Sequence, residues 1–418
     1  MDTMKRLFTL LTLGILLAAA SCQQENTDNI DPKTINLDEK SAMLIEADNA
    51  FGLEIFQKIR KGSDEENIMI SPLSISVALA MAYNGADGDT KSEMEKTLKL
   101  FGLTPEEINS SYKQLIAALQ SVDEKVVFEL SNAIFYKNEF AVKPDFLNIN
   151  KNNYDAEVSS LDFNSPSAVE TINNWVATKT HDKILSIIDQ LNPDDRMVLL
   201  NAVYFNGIWT TEFEKEGTKL HYFTKKNGDS VEVPMMNKED KLEYTSNSLF
   251  EAVKLPYGNG QYNMIVMLPS ENKSSQNVID ELSAGNLKKW AGEFKTEEHV
   301  VITMPRFKFA FETGLNEVLK EMGMPKAFSD QADFSKITDQ EDLFISSVRH
   351  KSFIDVNENG TEAAAVTSIT FTTTSAGPGD TVQKIYFTVD KPFVFAITEK
   401  DTGAILFMGE VQNPEYEI

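Results

Sequence analysis

The sequence predicts one large α+β domain behind an N-terminal export segment. Helical and strand periodicities interleave from about Glu39 to the C-terminus. No linker, internal repeat or shift in composition divides that stretch. The 418-residue chain is 42% hydrophobic and 25% charged, enough apolar side chain for a sizeable core and too much for a disordered chain.

Charge and cysteine content exclude whole classes of function. With 39 Lys and Arg against 64 Asp and Glu, the net charge is −25. Nucleic-acid binding needs clustered cations to neutralise phosphates, so no nucleic-acid partner is expected. The single cysteine, Cys22, rules out an intramolecular disulfide, a CxxC redox pair and a multi-cysteine zinc site. Only His181, His221, His299 and His350 remain as imidazole ligands. Neither a metal nor a cofactor is expected.

The elements follow in chain order. Lys5 and Arg6 precede an apolar run from Leu7 to Ala20, the length of a signal h-region and short for a membrane span. It ends Leu17-Ala18-Ala19-Ala20-Ser21-Cys22, which resembles a bacterial lipobox, although Ala19 stands where Leu is commoner. The resemblance implies a signal peptide over 1–21, lipidation of Cys22 and a lipid anchor in the bacterial outer membrane. Residues 22–38 are polar and aperiodic and read as a flexible tether. Glu25, Asp28 and Asp31 resemble the acidic signal that directs some lipoproteins to the extracellular face.

Residues 39–418 form the domain. Leu44, Ala47, Phe51, Ile55 and Ile59 recur at helical spacing and stop near Gly62. Ser71 is the expected N-cap of an apolar helix running to Tyr83, with Pro72 at its first position. Strands are expected at Val126–Phe135, Val198–Phe205, Asn263–Leu268, His299–Phe311, Phe387–Thr398 and Ala404–Val411, and a helix over Gly314–Met322. A turn is expected at Lys400–Gly403.

Catalytic signatures fail one by one. GxSxG, HExxH and the phosphate-binding GxxxxGK[ST] are absent. Gly258-Asn259-Gly260 lacks the third glycine of a dinucleotide fingerprint and reads as a hairpin turn. Asp355 to Gly360 looks like half of a calcium loop, but Val366 stands where the bidentate Glu belongs. No triad can be assigned, and the chain does not read as an enzyme.

One segment is unusual. Between Gly360 and Phe371 the residues are small, hydroxylic or β-branched, with Glu362 as the lone charge and no proline before Pro378. Thr361, Ala363, Ala365, Thr367, Ile369 and Phe371 share one face of an extended strand, and Glu362 falls on the other. The stretch is competent as an interior strand, yet Thr372–Asp380 has the composition of an exposed loop.

These residues also carry a family resemblance. Glu358-Asn359-Gly360-Thr361-Glu362-Ala363-Ala364-Ala365-Val366-Thr367 resembles the hinge of inhibitory serpins. Phe387 to Ile397 is similar to the serpin signature after the reactive loop. Asn67 to Ser74 with Gly85-Ala86, Asn201 to Trp209, Val233-Pro234-Met235-Met236 and Phe407-Met408-Gly409 match in family order.

The resemblance implies three β-sheets, eight or nine helices and an exposed reactive-centre loop at about 358–385. It implies a monomeric suicide substrate of serine proteases: the target cuts the loop, forms an acyl-enzyme, and is trapped as the loop enters the main sheet. Serpin loop insertion is an established case of strand addition. The hinge maps to Glu358, Gly360, Thr361, Glu362, Ala363, Ala364, Ala365 and Thr367. Ser71, Ser74, Asn201 and His350 match the polar shutter, and Trp209 the breach. Family spacing puts the scissile bond at Thr374–Ser375, with Thr373–Thr374 and Ser375–Ala376 as neighbouring registers. These small neutral side chains suit elastase-like or subtilisin-like pockets. The stretch from Thr374 to Pro392 is longer than in antitrypsin-like members, which leaves target choice open. The alternative is a non-inhibitory serpin, a binding or decoy protein cleaved as a simple substrate.

Overall fold

The computed structural model describes residues 33–192, 194–340, 343–362, 383–414 and 416. Helix α1 (Glu39–Gly62) is capped by the Asp38 carboxylate, which accepts from the Ser41 N–H at 2.8 Å. Its expected apolar positions, Leu44, Phe51, Ile55 and Ile59, are buried. After β1 (Asn67–Ile70), helix α2 (Pro72–Tyr83) is apolar on nearly every face and is accordingly internal, lying against strands on both sides. Next come α3 (Gly88–Thr97), α4 (Pro105–Ser121), β2 (Val126–Lys137), α5 (Pro144–Tyr154), β3 (Glu157–Leu161), α6 (Pro166–Lys179) and β4 (Met197–Ile208). Helix α4 opens with a reciprocal Thr104–Glu107 capping box.

The middle of the chain is β-rich: β5 (Lys219–Thr224), β6 (Ser230–Ser246), β7 (Phe250–Tyr257) and β8 (Tyr262–Pro269). Gly258 and Gly260 both take positive φ in the β7–β8 turn, as a hairpin there requires. Then follow α7 (Ser275–Asp280), α8 (Ala284–Ala291), β9 (Lys295–Pro305), β10 (Phe307–Gly314), α9 (Asn316–Met322), β11 (Arg349–Asn357) and β12 (Gly360–Thr361). The chain closes with β13 (Ile385–Thr388), β14 (Phe393–Glu399) and β15 (Ile405–Val411). The single strand expected over 387–398 is therefore two. Pro392 has no N–H to donate, and the chain changes partner there, from parallel β9 to antiparallel β8 and β15.

Among the described residues the strands hydrogen-bond into two sheets rather than three. The order β10-β11-β12-β4-β2-β3 forms one, and β1-β15-β14-β8-β7-β6-β9-β13, with β5 on β6, the other. The reason is β6. It runs unbroken past a register shift between Asp240 and Leu242, pairing β5 in its first half, β7 in its last residues and β9 through most of its length. Two expected sheets are thus fused into one ladder.

The main core lies between the sheets around α2, and a smaller one sits beneath α6, where Ile172 and Val176 pack on Phe135 and Leu200. The last residues of the segment read as a tether lie on the body. Gln261 donates to the Lys33 carbonyl, the Ile35 N–H donates to Asp401 Oδ2 at 2.9 Å, and Ile35 and Leu37 pack on the main core.

Candidate functional site

The site is built where the chain leaves β11 and turns back between two other strands. Strand β12 pairs antiparallel with β11 on one side (Val356 opposite Thr361) and with β4 on the other (Thr361 opposite Gly207). Among the described residues β4 and β11 share no ladder of their own. Gly360 is required: a Cβ there would stand 2.0 Å from the Gly207 carbonyl oxygen, and φ is +154°. Thr361 is buried, and its hydroxyl meets the Tyr257 hydroxyl at 2.6 Å. It faces the core, as strand alternation predicts, and it is already seated in the sheet.

The preceding residues are held from several directions. Glu358 is 2% exposed, and its Oε1 accepts from Arg306 Nε at 2.7 Å, from Arg306 Nη2 and from the Thr218 hydroxyl. Asn359 donates to Glu212 at 2.8 Å. Trp209 closes the cluster. Its indole N–H donates to the Asn357 carbonyl and its backbone N–H to the Asn359 carbonyl, both at 2.9 Å. Its ring stacks on Tyr257 with centroids 4.3 Å apart and an interplanar angle of 14°. Trp209 thus stands at the entry to β12. Burial raises the Tyr257 phenol far above its ordinary value, so the hydroxyl stays a neutral partner for Thr361.

Ser71, Ser74, Asn201 and His350, the residues matched to the shutter, gather around the first turn of α2. Ser71 caps the helix: its hydroxyl accepts from the Ser74 N–H at 3.3 Å, and its own N–H donates to His350 Nε2 at 3.1 Å. The Ser74 hydroxyl donates to Asn201 Oδ1, and Asn201 Nδ2 donates to Asn132 Oδ1 at 2.7 Å. His350 belongs to β11 and Asn201 to β4, so one helix terminus holds both strands. Desolvation pulls the buried His350 imidazole down to about 4, keeping it neutral and its Nε2 an acceptor.

Glu362 differs from the sequence expectation. It lies on the face opposite Thr361, but that face is not solvent. The turn after α6 covers it, leaving the side chain 3% exposed and 3.9 Å from Lys183 Nζ. Parity along a strand assigns a face; it does not say what lies over it. Sequence reasoning also passed over Arg306, Thr218 and Tyr257. Arg306, a guanidinium at the junction of β9 and β10, was the available signal for a buried carboxylate partner. Ala363, Ala364, Ala365, Thr367, the scissile positions Thr373, Thr374, Ser375 and Ala376, and Cys22 lie outside the described residues.

The chain therefore turns back between two strands, with a glycine against one of them and a polar cluster tied to both. Residues 46–414 match the family model described as serpin (serine protease inhibitor). The chain is 35% identical to an uncharacterized serpin-like protein of Methanosarcina acetivorans, over 89% of this chain and 86% of that one. It is 35% identical to intracellular coagulation inhibitor 2 of Tachypleus tridentatus, over 87% and 90% of the two chains. Its fold is similar to the native-state crystal structure of the thermophilic serpin tengpin, with a TM-score of 0.80 and 35% identity over 91% of this chain and 96% of that one. The chain belongs to the serpin family.

The His350 environment carries a pH signature. An exposed imidazole titrates near ~6.5 and this one near about 4, so the fold prefers the neutral form. Its contribution is complete above ~6.5 and is lost as pH falls toward 4, at up to about 1.4 kcal/mol per pH unit. The apparent thermal midpoint at fixed scan rate should fall between pH 7 and pH 5, and His350→Gln should flatten that fall. Equal slopes in the two proteins would remove His350 as the cause.

Proposed function

We propose that this chain is a suicide-type inhibitor of serine proteases and not a catalyst. One observation carries the proposal: β12 seats Thr361 between β11 and β4, at the start of the position a longer strand would take. The target's serine attacks the carbonyl carbon of the scissile residue, the following residue leaves as a free amine, and an ester joins inhibitor to protease. The freed segment then extends β12. Roughly ten further backbone hydrogen bonds at about 1 kcal/mol net each favour that extension. The inward positions from Thr361 to Phe371 carry no charge, so none need be buried unpaired.

The target class follows from the loop's chemistry. Thr374–Ser375 presents small neutral side chains, which fit the shallow pockets of elastase-like or subtilisin-like enzymes. In a panel of purified proteases, SDS-stable complexes should form fastest with elastase-like members, and Thr374→Arg should move the preference to trypsin. Trapping of trypsin by the wild type, with cleavage at a basic residue, would displace the proposed bond.

Insertion has a second readout. Cleavage at the loop should raise the thermal midpoint by tens of degrees, because the intact protein is held by a kinetic barrier rather than at its free-energy minimum. Thr361→Arg would force a guanidinium against Tyr257 and Trp209 in a buried site. That variant should still be cut at the same bond, yet release active protease and gain little thermal stability. Equal trapping by Thr361→Arg and wild type would refute the register.

The same proposal places the protein on the extracellular face of a bacterial outer membrane, anchored through lipidated Cys22. Cys22→Ser should shift it from the membrane to the soluble fraction in a bacterial host with lipoprotein-processing machinery. Unchanged membrane association would refute the anchor.

A further inference from the structure

Beyond Thr361 the strand does not continue. Glu362 takes a left-handed backbone conformation, φ +59°, which is strained for a residue with a Cβ. Its N–H still bonds the Asp355 carbonyl at 2.8 Å, and its carbonyl accepts from Asn206 Nδ2 at 3.1 Å. Glu362 itself therefore lies outside the ladder that ends at Thr361. Non-glycine residues stay in that region only where their surroundings hold them, and here the surroundings are the turn after α6. His181 and Asp182 in that turn also have positive φ, at 49° and 61°. The turn lays the His181 ring over Tyr204, centroids 4.2 Å apart, and Lys183 over the Phe353 ring at 5.4 Å. Beneath it a narrow cleft is lined by Thr180, Lys183, Val203, Phe353, Glu362 and Phe407. Val203 belongs to β4 and Phe353 to β11, so the cleft lies where the strand would lengthen.

The Glu362 carboxylate is buried in that cleft. Among the described residues its Oε2 has no hydrogen-bond donor, and Lys183 Nζ stands 3.9 Å away. We propose that Glu362 and Lys183 form a catch that holds the hinge at Thr361, and that Glu362 must turn out of its left-handed conformation, with the α6 turn lifting, before β12 can lengthen. The catch rests on the insertion reading above and adds a control to it: the charge on Glu362 sets how firmly the hinge is held.

The groups facing the carboxyl come from every element packed on it. Lys183 and His181 lie in the α6 turn, Tyr204 on β4 and Asp355 on β11. Behind them, Glu129 of β2 bonds His181 at 2.9 Å, and Lys308 of β10 pairs with Asp355 at 3.2 Å. Desolvation outweighs the nearby lysine and raises the Glu362 carboxyl to about 7. Released into water it would titrate near ~4.3. The protonated form thus favours the held state. The catch tightens as pH falls through 7, and its opening should increase about tenfold from pH 6 to pH 8.

Amide hydrogen exchange on the intact full-length protein tests this without any protease. Opening is read at the Thr361 and Glu362 amides and corrected for intrinsic exchange. The wild type should open about tenfold more at pH 8 than at pH 6. Glu362→Gln should stay protected at both pH values. Lys183→Met keeps an unbranched side chain but removes the cation; it should open several-fold more than wild type at pH 8 and little more at pH 6. Equal opening at both pH values in the wild type would overturn the catch. So would a pH dependence that survives in Glu362→Gln, which would belong to another group such as His181. Covalent complex formation with protease is scored separately. The expected exchange pattern without any complex would keep the catch and overturn the inhibitory reading; complexes with flat exchange would do the reverse.

Discussion

Strands β11 and β4 are tied to the same helix terminus and, among the described residues, share no ladder of their own. Ser71 reaches His350 on one strand, and Ser74 reaches Asn201 on the other. A paired ladder spreads its hydrogen bonds along the backbone and parts only at many points together. Two side-chain ties at the N-terminus of α2 can part locally. That helix is buried on nearly every face, so it gives the ties a fixed base. The rest of the site depends on this arrangement, because a strand position between β11 and β4 exists only where those strands do not pair directly.

The cluster around Trp209 fixes the residues that lead into β12. Gly360 lets the backbone approach β4 closely. Arg306 and Thr218 neutralise and satisfy the Glu358 carboxylate at a depth where an unpaired charge would cost several kcal/mol. Trp209 clamps two successive carbonyls of the turn. These restraints converge on Asn357–Thr361 and then stop. The next residue has a strained backbone and, among the described residues, a carboxylate oxygen with no donor. Order and strain therefore meet within one peptide bond.

Much of this was legible in the sequence. Helix α2, its Ser71 cap and the two closing strands carry strong local signals, and the inward face of Thr361 follows from alternation alone. The relation of Ser71 to His350 and of Trp209 to the hinge came from family motifs, because those partners lie far apart in the chain. Other features had no local signature. The fusion of two sheets depends on the single strand β6 keeping its pairing past a register shift. The docking of Lys33 and Ile35 depends on Gln261 and Asp401, which no pattern within a polar segment could announce. The burial of Glu362 depends on a turn some 180 positions earlier, which settles after α6 through the left-handed residues His181 and Asp182.

The two flanks of the loop are anchored in different sheets. Before it, β12 belongs to the six-stranded ladder; after it, β13 lies parallel to β9 in the other, with Lys384 bonded to Glu239 at 2.6 Å. With the chain intact, a shift of β12 and a shift of β13 are coupled through one covalent connection. The covalent bond thus acts as a mechanical constraint between two ladders. Were the chain cut between β12 and β13, then β13, β14 and β15 would form a second polypeptide, with β14 and β15 buried inside their sheet. Such a cut would leave a two-chain particle joined through buried strands, its upstream end released from the downstream one.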